Sequence, residues 1–356
     1  MSASKKRKIS GLSGLELELS LVQLRKLRKT IVFEDVLELE ATETDTLGDE
    51  LDKVIALLET RTKEPLSLSF SAVNETNLGR LNITQAGMLF LQDQEKLRDA
   101  IESTRQLGAT ELWSNGNMYR HLSFLSNTYN NVNEASSRMF IDAFFFRTTA
   151  MVPSDQRVVI MLEKPVPSAR PRESKMDTVS GVIDYTALVA DARIARMHLR
   201  KPPQLTPRIS QNLVAFFTAE AKASDGIVLE GHTPRALVEL VACAKHLGKS
   251  HIRGALTSGD RWIFLAVNLD REGEGATYWE SEVVGWRTEN MASDVTVPVT
   301  SNRYDPALIA GILSSWVPNS FSEFDGDQWF YKSPLSDDVK NDQGPSDKIG
   351  SFSREP

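Results

Sequence analysis

The stretch FFTAEAKASDG, residues 216–226, decides how the rest of the chain is interpreted. Its apolar start predicts a buried β-strand, yet Glu220 and Lys222 stand two positions apart near its end. Alternate side chains of a strand point to the same face, so these two charged groups project together while Ala221 faces the other way. Such a pair is either a surface ion pair of little energetic weight or part of a catalytic site.

The segments around this strand predict an α/β domain. Apolar patterning, caps and turn residues predict, in chain order, a helix at 133–152, strands at 157–166, 178–197 and 212–223, a helix at 233–249, and a two-stranded hairpin at 251–269. A further strand is predicted at 276–287 and a helix at 304–316. This order indicates one mixed sheet with helices on its faces.

An aspartate on the preceding strand turns the charged pair into a candidate metal site. Asp184 ends the apolar phrase GVID and lies 36 residues before Glu220. Two carboxylates supply hard oxygen ligands that suit Mg²⁺ or Mn²⁺, and the backbone carbonyl of Ala221 is a candidate third ligand. Lys222 is then placed to orient or deprotonate an attacking water and to offset the charge of a phosphate.

These residues and this order of elements resemble the PD-(D/E)XK nuclease superfamily. That superfamily includes the restriction endonucleases and the endonuclease-like domains of fungal and oomycete Crinkler-type proteins. The similar phrases are NEASSRMFIDAFF, SGVIDY, FFTAEAKA and RGALTSGDRWIFLAV, within roughly residues 130–290. The resemblance implies a restriction-endonuclease-like mixed sheet flanked by helices, preceded by a smaller mixed α/β region.

The resemblance also implies roles for individual residues. Asp184 and Glu220 would hold a divalent metal ion, and Lys222 would act on the water. Glu134, on the first helix, would support the metal ion or its waters. The enzyme implied is a magnesium-dependent endonuclease that acts on nucleic acid, with DNA favoured over RNA.

Three features of the motif are less regular. The superfamily often places a polar residue, commonly glutamine, on the helix after the Glu-x-Lys strand, and here both Arg235 and Glu239 are candidates for that place. Ile183 precedes Asp184 where the motif name has proline. The spacing between Asp184 and Glu220 is long, so the proline-rich loop at 198–211 has to absorb it.

A basic cluster follows Asp184 and precedes the strand of Glu220, and its members are Arg193, Arg196, Arg200, Lys201 and Arg208. These side chains are candidates to line a nucleic-acid groove and neutralise phosphates. The alternative is a solvated hairpin loop. The whole chain has 41 basic and 48 acidic residues, a formal charge of −7, which is unusual for a dedicated electrostatic DNA binder. A local basic surface can still act where the ligand docks.

Composition divides the chain into four parts. Residues 1–14 and 333–356 are predicted to be disordered tails, 15–125 a region of unknown role, and 130–330 the nuclease-like domain. Within the second part, residues 86–107 are predicted to form an amphipathic helix through Met88, Leu91, Leu97 and Ile101.

The expected setting is the nucleus or the cytoplasm. The basic run KKRK at residues 5–8 is typical of a nuclear import signal, and the first residues lack the apolar segment of a secretory signal. The sequence has one cysteine, so an internal disulfide is excluded, and it has no run of about 18 apolar residues that predicts a membrane span.

Two functions from different classes remain open on the sequence. The first is a metal-dependent nuclease that hydrolyses phosphodiester bonds. The second is a catalytically inactive scaffold with the same fold, or a protein-interaction or effector protein, in which the N-terminal region contacts a protein partner. Trp262, in the phrase GDRWIFLAV, is predicted to pack in the core and not to stack on bases.

Overall fold

The structure is a computed structural model that describes residues 20–28, 30, 50–56, 58, 65–223, 228–287 and 304–335. The chain forms two compact units, divided between Leu66 and Ser67. In the first unit, helical residues at 20–28 and 30 belong to α1, and those at 50–56 and 58 belong to α2. An ion pair joins Arg28 Nε to Asp52 Oδ1 at 3.0 Å.

The second unit contains the remaining helices and all of the named strands. Its strands are β1 (Ser67–Ser69), β2 (Ile83–Leu91), β3 (Gln156–Ala169), β4 (Thr178–Asp191), β5 (Ala215–Ala221), β6 (His251–Thr257), β7 (Arg261–Leu269), β8 (Ala276–Ser281), β9 (Val284–Gly285) and β10 (Phe330–Pro334). Its helices are α3 (Glu75–Arg80), α4 (Gln94–Arg105), α5 (Asn115–Thr128), α6 (Glu134–Met151), α7 (Ala192–Arg200), α8 (Pro207–Ser210), α9 (Thr233–Leu247) and α10 (Pro306–Trp316). Single 3₁₀ turns lie at Phe70–Ala72 and Leu229–His232.

The strands form one mixed sheet, which confirms the predicted α/β class. The strand order is β1-β4-β5-β6-β7-β8-β2-β10, while β3 pairs with β4 and β9 pairs with β7. Strand β4 is antiparallel to β3 and β5, and β5 is parallel to β6. The parallel pair is connected through α9, as a crossover between parallel strands requires.

Two hydrophobic cores cover the opposite faces of the sheet. Adjacent residues Phe216 and Phe217 of β5 belong to different cores, as the alternation of a strand requires. Helices α6 and α10 pack on the Phe217 face, where Phe145 stacks on Tyr185 at a centroid distance of 5.5 Å. Helix α9 packs on the Phe216 face. Trp262 is fully buried in the first core, which confirms its predicted place.

One edge of β4 changes its partner in the middle of the strand. Strand β3 follows the other edge of β4 almost from end to end. On the first edge, β5 pairs with residues 185–189 and β1 pairs with residues 178–180. The partner therefore changes across residues 181–184, which opens a gap in the sheet beside the end of β5.

The structure places several predicted boundaries elsewhere. Residues 67–128 belong to the same unit as 130–330, because β2 pairs with both β8 and β10. The helix predicted at 86–107 is wrong in its first part, since β2 continues to Leu91 and α4 begins after Asp93, whose side chain caps it. Ser333 and Pro334 belong to β10 and not to a tail. Residues 1–14, the basic run at 5–8 and residues 336–356 lie outside the described residues.

Candidate functional site

The gap in the sheet brings Asp184 and Glu220 together, as the sequence predicted. Tyr185 and Ala219 are the last register pair of β4 and β5, so Asp184 and Glu220 occupy the next opposed positions. The Oδ2 atom of Asp184 accepts a hydrogen bond of 3.0 Å from the backbone N–H of Ala221. The side chain of Asp184 thus takes the place of the next backbone carbonyl as the acceptor for β5. The carboxylates of Asp184 and Glu220 are both buried.

Two cations hold one oxygen of Glu220. Its Oε1 atom pairs with Lys222 Nζ and, at 2.7 Å, with Nε of Arg235 from the first turn of α9. Its Oε2 atom is buried and receives no hydrogen bond from the described residues. A buried carboxylate oxygen without a donor is unfavourable, so this atom is suited to a proton or a cation.

Both candidate residues on α9 belong to the site. Arg235 Nε also pairs with Glu239 Oε1 at 3.0 Å, one helical turn later, so a single N–H serves two carboxylates. Burial raises the pKa of Glu239 well above its usual value, and the negative charge of the neighbouring Glu220 raises it further.

The position of Glu220 also disfavours its charge. Burial raises the pKa of Glu220 to about 7, and the negative charge of Asp184 adds to this effect. Lys222 and Arg235 act in the opposite direction but do not outweigh burial. Near neutral pH the folded protein therefore holds this carboxyl close to the point at which it exchanges a proton.

The raised pKa of Glu220 predicts a pH dependence of stability. The folded protein binds this proton more tightly than the unfolded chain, in which the pKa is near 4.5. Its contribution is complete below that value and is lost as the pH rises to about 7, a loss of about 3 kcal/mol. With a chelator present, Glu220→Gln should flatten the decline of the unfolding free energy over this range, measured by denaturant titration. Equal slopes for the two proteins would contradict the assignment.

Arg138 of α6 connects Glu134 to the site. Its Nη2 atom lies 2.8 Å from Glu134 Oε1 and 2.8 Å from Asp184 Oδ1, and its Nη1 atom lies 3.1 Å from Glu163 Oε1. Glu134 occupies the first turn of α6, after the cap formed by Asn133. The structure therefore places Glu134 beside Asp184, but through a guanidinium group and not directly.

Glu163 is a site residue that the sequence analysis missed. It lies in β3 directly opposite Asp184, because Leu162 pairs with Tyr185 and Lys164 pairs with Ile183. Its backbone has φ of 51°, a left-handed conformation that is uncommon for a residue other than glycine. Such a conformation is unfavourable by roughly 1–3 kcal/mol, and strained residues of this kind cluster at functional sites.

The site carries an excess of negative charge. Its five carboxylates are those of Glu134, Glu163, Asp184, Glu220 and Glu239. Its three cations are Arg138, Lys222 and Arg235. With all groups ionised, the formal charge of the cluster is −2, and each proton held on Glu220 or Glu239, whose pKa values burial raises, makes it one unit less negative.

The donor set fits a hard divalent cation in its chemistry. Oxygen donors and an unsatisfied buried oxygen on Glu220 are what Mg²⁺ or Mn²⁺ requires. Most of the other carboxylate oxygens already contact cations, and among the described residues no three His, Cys, Asp or Glu side chains form a ready-made ligand set. Any metal ion would therefore have to compete with the side-chain cations.

The predicted basic cluster lies on helices and not on a hairpin loop. Strand β4 ends at Asp191, whose side chain caps α7 by accepting from the N–H groups of Arg193 and Ile194. All five basic side chains are exposed, on α7, directly after it and on α8: Arg193, Arg196, Arg200, Lys201 and Arg208. They present positive charge to solvent along one segment of the chain.

The chain matched none of the protein-family models and none of the curated proteins with which it was compared. Among the helices within the described ranges, none has the length and apolar character needed to span a bilayer.

Proposed function

We propose that the protein is a metal-dependent nuclease that hydrolyses phosphodiester bonds in nucleic acid. The observation that carries this proposal is the position of Asp184, Glu220 and Lys222 at the gap in the sheet beside the end of β5. The order α6, β3, β4, β5, α9, β6 supports it, because it is the order in which the PD-(D/E)XK resemblance expects these elements. Buried carboxylates beside a lysine have little structural purpose that apolar residues would not serve better.

The proposal assigns a role to each residue at the gap. Asp184, Glu220 and the carbonyl of Ala221 would hold Mg²⁺ or Mn²⁺. When bound, such an ion polarises a phosphoryl oxygen and lowers the pKa of its water. Lys222 is held beside Glu220 and would offer its positive charge to the phosphate. Arg235 keeps the Glu220 carboxylate in place from the other side.

The substrate in this proposal is nucleic acid, with DNA favoured over RNA. Exposed basic residues on α7 and α8 would contact phosphates without reading sequence. The resemblance to restriction endonucleases is what favours DNA. The proposed setting is the nucleus or the cytoplasm, with the run at residues 5–8 as the candidate import signal.

A second function is favoured by one specific observation. Arg138 and the Ala221 N–H already satisfy both oxygens of Asp184, as a protein without a metal ion would require. The alternative is therefore a catalytically inactive scaffold with this fold, whose N-terminal region, residues 15–125, contacts a protein partner. Its internal ion pairs would then be structural.

Incubation with nucleic acid separates the two functions. The purified protein is mixed with supercoiled plasmid, single-stranded DNA and RNA, each with Mg²⁺, Mn²⁺ or a chelator. The nuclease proposal expects nicking or cleavage of at least one substrate that requires the metal ion. Intact substrates under every condition would favour the scaffold, and cleavage that persists in the chelator would exclude the proposed metal site.

A further inference from the structure

Arg138 contacts one of the two oxygens of Asp184 that a metal ion could bind. Its Nη2 atom is within 2.8 Å of an oxygen of Asp184 and also of an oxygen of Glu134. The second oxygen of Asp184 is engaged by the Ala221 N–H. Each oxygen keeps a second lone-pair site, but a metal ion bound there would lie close to the positive guanidinium of Arg138, so coordination is opposed as long as Arg138 stays in contact with Asp184.

We propose that Arg138 is an internal counter-ion that competes with the divalent cation for Asp184 and thereby sets the metal affinity of the site. This inference rests on the metal site of the proposed function. In the metal-free protein Arg138 neutralises Asp184 and keeps it in place. On metal binding Arg138 gives up Asp184 and keeps its contacts with the more exposed carboxylates.

The exposure of the groups around Arg138 indicates which of them can move. The side chain of Asp184 is 9% exposed and is fixed between strands, whereas that of Arg138 is 27% exposed. Its other partners lie nearer to solvent, with Glu134 at 44% and Glu163 at 67% exposure. Arg138 can therefore turn outward together with these two carboxylates while Asp184 stays at the site.

The left-handed backbone at Glu163 fits this role. Glu163 places its carboxylate on Nη1 of Arg138 in spite of an unfavourable φ of 51°. Because Nη1 and Nη2 are held by different carboxylates, Arg138 loses only part of its contacts when it releases Asp184. Glu163 can therefore keep hold of the Arg138 guanidinium after Asp184 is released, which supports a site that exchanges one cation for another.

The test is metal binding without substrate. Mn²⁺ is titrated by calorimetry into metal-stripped wild type, Arg138→Gln, Asp184→Asn and Arg157→Gln. Arg157 is an exposed arginine of β3, so its substitution removes the same charge away from the site. Removal of a cation a few ångströms from the metal ion should lower the dissociation constant of Arg138→Gln by at least about tenfold. Arg157→Gln should bind as wild type does, and Asp184→Asn should lose binding.

A second measurement covers the case in which Arg138→Gln fails to fold. In ¹⁵N-labelled wild type, the Nε–H resonance of Arg138 should shift on addition of Mg²⁺, as the side chain leaves Asp184 and turns to solvent. The same resonance in Asp184→Asn should not respond. An unchanged Arg138 resonance in wild type at a saturating metal concentration would overturn the inference.

The outcomes separate this inference from the proposed function. Equal or weaker Mn²⁺ binding by Arg138→Gln overturns the inference, even if wild type cleaves nucleic acid. Tighter binding without any cleavage supports the inference and removes the proposed nuclease activity. Absence of Mn²⁺ binding at millimolar concentration in both proteins overturns the metal site itself, and with it the inference.

Discussion

Asp184→Asn is expected to reduce metal-dependent cleavage at least about 1000-fold, since the loss of one group that stabilises transition-state charge commonly has an effect of that size. Asparagine has the same shape, and its amide oxygen can still accept from the Ala221 N–H. What is lost is the negative charge that faces Glu220 across the gap, together with the oxygen that accepts from Arg138. Initial rates of plasmid nicking at saturating Mg²⁺ measure the effect.

Asp191→Asn is the matched control for this substitution. Asp191 ends the same strand, and its carboxylate caps α7 by accepting from two N–H groups at 2.9 Å. Asparagine caps helices about as well as aspartate, so the fold and the nicking rate should be unchanged. Cleavage that survives both Asp184→Asn and Lys222→Ala would show that the catalytic site lies elsewhere.

Trp262→Ala is expected to lower the unfolding free energy by about 3–5 kcal/mol. The indole is fully buried between α6 and the sheet, with ring centroids of Phe144 at 5.6 Å and Phe264 at 6.0 Å. Its Nε1–H donates to the carbonyl of Gly259 in the β6–β7 turn. The substitution removes packing and leaves that carbonyl with one donor fewer. Urea denaturation followed by circular dichroism measures the change.

Phe124→Ala provides the comparison on the surface. Phe124 lies on α5 and is 58% exposed, so its removal should change the unfolding free energy by less than about 0.5 kcal/mol. A loss for Trp262→Ala no larger than that for Phe124→Ala would mean that Trp262 is not packed in the core.

The central part of the site could be predicted from the sequence because it depends on strand geometry. Apolar residues flank Glu220 on both sides, and Asp184 ends an apolar phrase of its own. Buried strands that follow one another tend to pair, so their charged ends are expected to meet. The register in the structure brings Asp184 opposite Glu220 in this way.

The ion pairs around this pair could not be predicted in the same way. Glu134 and Arg138 are four positions apart, which is the spacing of a helical pair, and this was the only local signal. The guanidinium of Arg138 also contacts Asp184 and Glu163. These contacts depend on how α6 packs on the sheet, which the sequence does not show. The left-handed conformation of Glu163 has no sequence signature, because that residue type carries no preference for it.

Short apolar segments fit both helical and strand periodicity, and this explains the wrong start of the helix predicted at 86–107. Met88 and Leu91 fit a helical face together with Leu97 and Ile101, although the first two belong to β2 and the last two to α4. The signal that separates them is Asp93, whose side chain accepts from the N–H of Lys96 at 3.0 Å. A cap in the middle of a predicted helix marks a true beginning.

The pairing of β2 has a consequence for the order in which the chain can fold as it is made. Strand β2 lies between β8 and β10, so its hydrogen-bonding partners are strands that begin about 190 and 250 residues later in the sequence. A ribosome releases these segments in sequence, and β2 emerges long before either partner. Strand β2 therefore cannot form its native pairs until both partners have been made, and β10 is the later of the two.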